Sequence, residues 1–200
     1  MAKRLTKISN GKNSAKKSAP LPKPSPWLAD VWPTERDIMI RPDRLKYVRK
    51  LIKVDGCVFC NAVKSGVGFK NLLLHKGKHA SVVMNKFPYN PGHLLVIPNQ
   101  HVGEFDDLKT PELYELQDLV KLGIQALRRA YEPSGYNVGL NLGAAAGAGI
   151  PDHLHYHVVP RWKGDTNFFP LLAETKVVVE DLEATFDRLV PLFKELSDAK

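Results

Sequence analysis

Residues 135–143 read GYNVGLNLG, with apolar Tyr136, Val138, Leu140 and Leu142 alternating with Asn137, Gly139 and Asn141. A period of two is that of a β-strand with one face on a core. The same period returns in DHLHYHVVP (152–160), where Leu154, Tyr156 and Val158 alternate with His153, His155 and His157. This predicts a strand whose three imidazoles share one face, with pairing ended by Pro160, which has no N–H for a ladder. If the two strands pair antiparallel, their apolar faces meet one core and Asn141 lies on the histidine face. NLLLHKG (71–77), HASVVMN (79–85), HLLVIP (93–98) and KVVV (176–179) predict further strands, the first two joined tightly at Gly77-Lys78.

Helical spacing appears elsewhere. Leu113, Leu116, Val120, Ile124 and Leu127 form one stripe after Thr110-Pro111, which predicts Thr110 as N-cap and Pro111 at the first helical position. Leu182, Phe186, Leu189, Phe193 and Leu196 mark a C-terminal helix that Pro191 should kink or divide. Residues 42–53 predict a short helix leading into GCVFC. NKFPYNPGH (85–93) is a turn-rich loop. Antiparallel strands with helices between and after them give an α+β class.

Charge changes the picture at one end only. The net charge of +8 invites a nucleic-acid reading, yet residues 1–26 carry seven Lys or Arg and no acid. The remaining chain has 22 basic against 21 acidic residues. The sequence therefore divides into a disordered basic tail, 1–26, closed by Pro20, Pro22, Pro24 and Pro26, and one domain over 27–200. The tail suits weak nucleic-acid or partner attachment. No apolar run reaches membrane-span length and no secretory signal is visible, so a cytoplasmic protein without membrane attachment is expected. Two cysteines exclude a disulfide scaffold.

Three histidines in five positions are poorly explained as unrelated surface residues. Clustered imidazoles serve metal ligation or acid–base and nucleophilic catalysis, and a catalytic zinc on all three is one reading. Cys57 and Cys60 have C-x2-C spacing, which suits two thiolates on one ion, a redox pair, or chance. An ion there needs two further ligands, with His101 and one strand histidine as candidates. The glycine-rich GAAAGAGIP before the histidines has Gly143, Gly147 and Gly149 to let backbone N–H groups approach an anion. An imidazole beside such a loop can attack phosphorus while its neighbour donates to phosphoryl oxygens.

These blocks, GAGIPDHLHYHVVPRWKGDTNF with NKFPYNPGHLLVIPNQHV and GYNVGLNLG, resemble the histidine triad (HIT) family over roughly residues 55–170. The likeness is to the bacterial branch related to diadenosine tetraphosphate phosphorylases and hydrolases. It implies a HIT-like antiparallel sheet with a long helix and a C-terminal helix, a nucleotide substrate and a homodimer. It implies cleavage of a phosphoanhydride or phosphoramidate through a nucleotidyl-histidine, with His155 as nucleophile and His157 contacting the phosphate. Asn85 matches the residue that holds the ribose, His93 one behind the catalytic histidine, and Asn141 a polar residue of the adjoining strand. Gly147 and Gly149 are candidates for nucleotide binding on the backbone argument above. The resemblance implies a structural zinc on Cys57, Cys60, His101 and His153. Where some members carry a glutamine, serine or threonine to assist the leaving group, this chain has Leu142 and Ile150. A zinc metallohydrolase and a non-enzymatic nucleotide- or nucleic-acid-binding protein are the alternatives.

Overall fold

The computed structural model describes residues 55–165 and 180–199. The basic tail, the helix expected at 42–53 and the strand at 176–179 lie outside the described residues. Helix α1 (Val58–Ser65) is followed by strands β1 (Leu73–Lys76), β2 (Ala80–Met84) and β3 (Leu94–Pro98). Helix α2 (Thr110–Tyr131), strands β4 (Gly135–Leu140) and β5 (Tyr156–Arg161), and helix α3 (Leu182–Asp198) complete the order. The strands form one sheet, β1-β2-β3-β5-β4, antiparallel at every pairing. This is the α+β arrangement that the alternating runs predict.

Strands β2 and β3 are buried at every position, which is why their sequences read as apolar runs without clean alternation. On one face, Val82, Met84, Leu94, Val96 and Val158 pack with Leu116, Leu119, Leu127, Leu189 and Phe193 of α2 and α3. On the other, Leu73, Val83, Leu95 and Ile97 pack with Phe59 and Val63 of α1. The loop between β2 and β3 folds back on itself, His93 N–H bonding to Asn90 O and Asn85 N–H to His93 O. Gly92 in this loop has φ +75°, and a Cβ there would lie 2.8 Å from Leu127 Cδ2, so both conformation and space require glycine.

Several details depart from the sequence pattern. Helix α1 starts inside the C-x2-C, with Cys57 as its N-cap, where periodicity gave no warning. Helix α2 begins one residue early: Lys109 is the N-cap, and the buried Glu112 carboxylate accepts its backbone N–H at 2.8 Å. Pro191 does not divide α3, which runs unbroken through it. Strand β4 lies at the sheet edge and ends at Leu140, so Val138 and Leu142 are exposed while Tyr136 and Leu140 pack on the core. Pro160 does not end β5, being paired with Tyr136. It sits beyond the last β3 partner, and its carbonyl accepts from Asn90 Nδ2 at 2.7 Å on the side away from β4. The missing N–H would point to that same unpaired side, where proline is tolerated.

Candidate active site

The histidines occupy one side of the sheet, but only His157 belongs to the β5 ladder, opposite Leu95 on β3 and Gly139 on β4. His153 and His155 lie in the approach to β5, which Leu154 N–H anchors to Val102 O at 2.7 Å. The alternation survives there: Leu154 and Val158 enter the helix-covered core, while Phe59 of α1 contacts His153 and His155, each with ring centroids 5.3 Å apart.

His153 is wholly buried and belongs to a cluster with Cys57, Cys60 and His101. Its Nδ1 lies 3.3 Å from Cys57 Sγ, 3.6 Å from Cys60 Sγ and 3.3 Å from His101 Nδ1, and Cys60 Sγ is 3.4 Å from His101 Nδ1. Its Nε2–H donates to Pro98 O at 3.0 Å, which leaves Nδ1 with a lone pair. One lone pair cannot accept three hydrogen bonds well, so hydrogen bonding does not explain the convergence. A tetrahedral ion with bonds of about 2.3 Å to sulfur and about 2.0 Å to nitrogen would set its donors about 3.3–3.8 Å apart. The four separations above suit such an ion, and all four donors lie within 4.8 Å of one another. Burial and the neighbouring Cys57 thiol raise the Cys60 pKa, a penalty on the thiolate that a cation would relieve. A single metal site built on all three triad histidines is not formed, because the cluster among the described residues takes His153 alone.

His155 is buried, and its Nδ1–H donates to the His153 carbonyl at 2.9 Å. That bond assigns the lone pair to Nε2, and burial lowers the pKa so that the ring stays neutral. His157 stands beside it, ring centroids 5.1 Å apart. Its tautomer is set from behind. The Tyr89 backbone N–H can only donate, and it donates to His93 Nδ1 at 3.0 Å. His93 must then carry its proton on Nε2, which lies 2.9 Å from His157 Nδ1. His157 Nδ1 therefore accepts, and its proton sits on Nε2. Burial, then the nearby His155, push the His157 pKa down to about 4. A nucleophilic nitrogen thus lies next to a neutral N–H donor.

A cleft of about 410 Å³ opens beside His157 between β4, β5 and the 85–93 loop, with Asn141 in its wall as the strand pattern predicted. Asn85 does not line this cleft. Its Oδ1 accepts the Phe87 N–H at 2.9 Å, and its amide reaches His93 Nδ1 at 3.3 Å. Gly147 and Gly149 are exposed in the loop after β4 and do not line the cleft either. The anion nest expected there is partly spent, because Ala146, Gly147 and Ala148 turn their N–H groups onto the carbonyls of Gly143 and Ala144. Sequence reasoning missed Tyr89, Asn90, Asn137 and Arg161, which also line the cleft. Arg161 grips Asp165 with two nitrogens at 2.7 and 2.8 Å and reaches Asn137 Oδ1 at 2.7 Å, while Asn90 Nδ2 adds a bond to Asp165 at 2.9 Å. These bonds, the Arg161 ones foremost, hold the Asp165 carboxyl far below the usual range. For two of them the signal was the period itself: Asn137 and Arg161 continue the faces of Asn141 and His157, whereas Tyr89 and Asn90 lie in the loop, which has no period.

An antiparallel α+β sheet with three alternating histidines on β5 and its approach places the chain in the histidine triad class. The HIT domain family model matches residues 69–164, and the chain belongs to that family. It is 43% identical over 116 residues to an AP-4-A phosphorylase of Mycobacterium tuberculosis, covering 58% of this chain and 60% of that protein. An uncharacterized HIT-like protein of Methanocaldococcus jannaschii is 31% identical over 109 residues, covering 54% of this chain and 81% of that one. The crystal structure of a Zn-bound histidine triad family protein from Mycobacterium smegmatis superposes with a TM-score of 0.58 at 25% identity, over 72% of this chain and 98% of that chain. The chain thus spans less than two thirds of the length of the phosphorylase it matches.

Proposed function

We propose that this protein cleaves the phosphoanhydride of a dinucleoside polyphosphate, such as diadenosine tetraphosphate, through a nucleotidyl-histidine on His155. The observation that carries this reading is the pair of assigned tautomers, His155 with its lone pair on Nε2 and His157 with its proton on Nε2. His155 Nε2 attacks the α-phosphorus, a P–N bond forms, and the bond to the bridging oxygen breaks. The leaving group from diadenosine tetraphosphate is ATP, whose terminal phosphate is a stable anion and needs no general acid. A neutral His157 is therefore sufficient, as a donor to the phosphoryl oxygens where charge accumulates. Attack by water on the adenylyl-histidine then yields AMP, and attack by phosphate yields ADP. The likeness to a protein named AP-4-A phosphorylase supports this substrate class.

Asn85, His93, Asn141, Gly147 and Gly149 are proposed to bind the nucleotide or to hold the groups that do. A zinc ion on Cys57, Cys60, His101 and His153 ties α1 and the segment after β3 to the triad. With four protein donors it keeps no open position for substrate, so its role is structural. The exposed edge of β4, with Val138 and Leu142, suits a second copy of this chain and so a homodimer. No helix among the described residues is long and apolar enough to cross a membrane. Free cysteines as metal ligands suit a reducing cytoplasm. The basic tail is proposed to contact nucleic acid weakly, apart from catalysis.

The test is incubation with diadenosine tetraphosphate, with and without phosphate, followed by product identification. His155→Asn should lower kcat by about four orders of magnitude while nucleotide affinity stays within about tenfold. Turnover near the wild-type rate in that variant would end the covalent mechanism.

A further inference from the structure

Asp165 does not line the cleft, yet N–H groups from Arg161, Asn90 and the Trp162 backbone converge on its carboxylate. Arg161 Nε and Asn90 Nδ2 donate to Oδ2 at 2.7 and 2.9 Å, and the Trp162 N–H reaches the same oxygen at 3.3 Å. Arg161 Nη2 donates to Oδ1 at 2.8 Å. The Asp165 side chain is only 14% exposed, so these are shielded, charge-assisted bonds and not those of a solvated surface pair. A turn sets the carboxylate there. Asp165 N–H bonds to Trp162 O at 3.3 Å, and Gly164 holds φ +82°, a conformation that favours glycine.

The bond to Asn90 is the one that reaches the reacting histidines. Asn90 is 2% exposed, and its amide nitrogen donates to Pro160 O at 2.7 Å as well as to Asp165. With two acceptors facing Nδ2, the amide has one orientation only. Asn90 also accepts the His93 N–H at its carbonyl, and the residue before it is Tyr89, whose N–H fixes the proton on His93 and through it the one on His157. The turn that carries this N–H is thus tied to the end of β5 by the Asn90 amide. Hydrogen bonds near 3 Å weaken steeply as distance and angle relax, so a small shift of the turn is enough to mix the two tautomers of His93.

We propose that Asp165 is a positioning residue of the reaction: through Asn90 it holds the 89–93 turn against β5 and so keeps the His157 proton on Nε2. This rests on the histidine mechanism above and names a residue that acts on it without touching substrate or histidine. Asp165→Ala removes every carboxylate bond, Asp165→Asn keeps one oxygen for Asn90 but loses the charge, and Gly164→Ala strains the turn that places the carboxylate. Nitrogen-15 spectra of the imidazoles, taken without substrate, should show a mixture of His157 tautomers in Asp165→Ala and a smaller one in the other two. Either of those carries the test if Asp165→Ala does not fold. Phe193→Leu, in the core under α3, is the destabilised control, with a lower Tm and the wild-type tautomer. With diadenosine tetraphosphate, well below every Tm, Asp165→Ala should lower kcat by about tenfold or more. In a His93→Phe background the same substitution should lower it by less than about threefold, because the proton it protects is already lost, while the losses in Tm add. An unchanged His157 tautomer in Asp165→Ala, the same mixture in Phe193→Leu, or a full further loss of kcat in the His93→Phe background would overturn the role. The spectra need no turnover. A wild-type chain that fails to cleave the substrate would therefore end the catalytic reading and leave the hold on His157 standing.

Discussion

His93 touches no phosphate in the proposed reaction, yet the site depends on it through one proton. Replacing it with phenylalanine keeps a flat ring in a position only 2% exposed but removes both nitrogens. The Tyr89 N–H loses its acceptor at 3.0 Å and His157 Nδ1 its donor at 2.9 Å. A polar group left unpaired costs about 1–3 kcal/mol when buried. Both groups are only partly buried, so a total of about 2–4 kcal/mol is expected. That corresponds to roughly 5–15 °C in Tm for a domain of this size. The catalytic effect is separate. His157 loses the bond that keeps its proton on Nε2, and a misaligned donor to a developing charge costs about 10²–10³ in kcat. Nitrogen-15 spectra of the imidazoles supply the readout that a structural role would not move. Wild-type His157 should be protonated at Nε2 and carry a lone pair at Nδ1, and His93→Phe should show a mixture. A lower Tm with kcat within threefold of wild type would refute the relay, as would a wild-type His157 protonated at Nδ1.

Elemental analysis of protein purified without chelator should find about one zinc per chain, and Cys57→Ser should lower both zinc content and Tm before chemistry is affected; metal-free wild-type protein would contradict the proposed centre. His157 also makes stability depend on pH. Its pKa falls from 6.5 to about 4 on folding, so between these values the unfolded chain binds more protons. Its contribution is complete above pH 6.5 and is lost as pH falls toward 4, about 2 kcal/mol of it by pH 5. Urea unfolding at pH 7 and pH 5 should therefore differ less in His157→Asn than in wild type, and equal differences would count against the buried neutral imidazole.

The local periods of this chain determine much by themselves. A period of two brought the three histidines to one side and Asn141 into the cleft wall, because side-chain alternation depends on the backbone and not on the partner strand. The apolar stripes of α2 and α3 set which faces pack on the sheet. The C-x2-C and the triad announced donors, but their spacing alone left the division open, and only the family resemblance named His153 for the metal. Only the fold turned His153 toward the cysteines and His155 and His157 away from them, since that depends on where α1 and the residues after β3 meet the approach to β5. Strand order decided that Val138 would be exposed although its pattern reads as core, because an edge strand extends past the helices that cover its neighbours. Pro160 survives inside β5 for the same kind of reason, as β3 has already ended there. The proton on His157 is the clearest case of tertiary control. It is fixed by the Tyr89 backbone N–H acting through His93, groups 64 and more residues away in the chain, whose meeting no local pattern encodes.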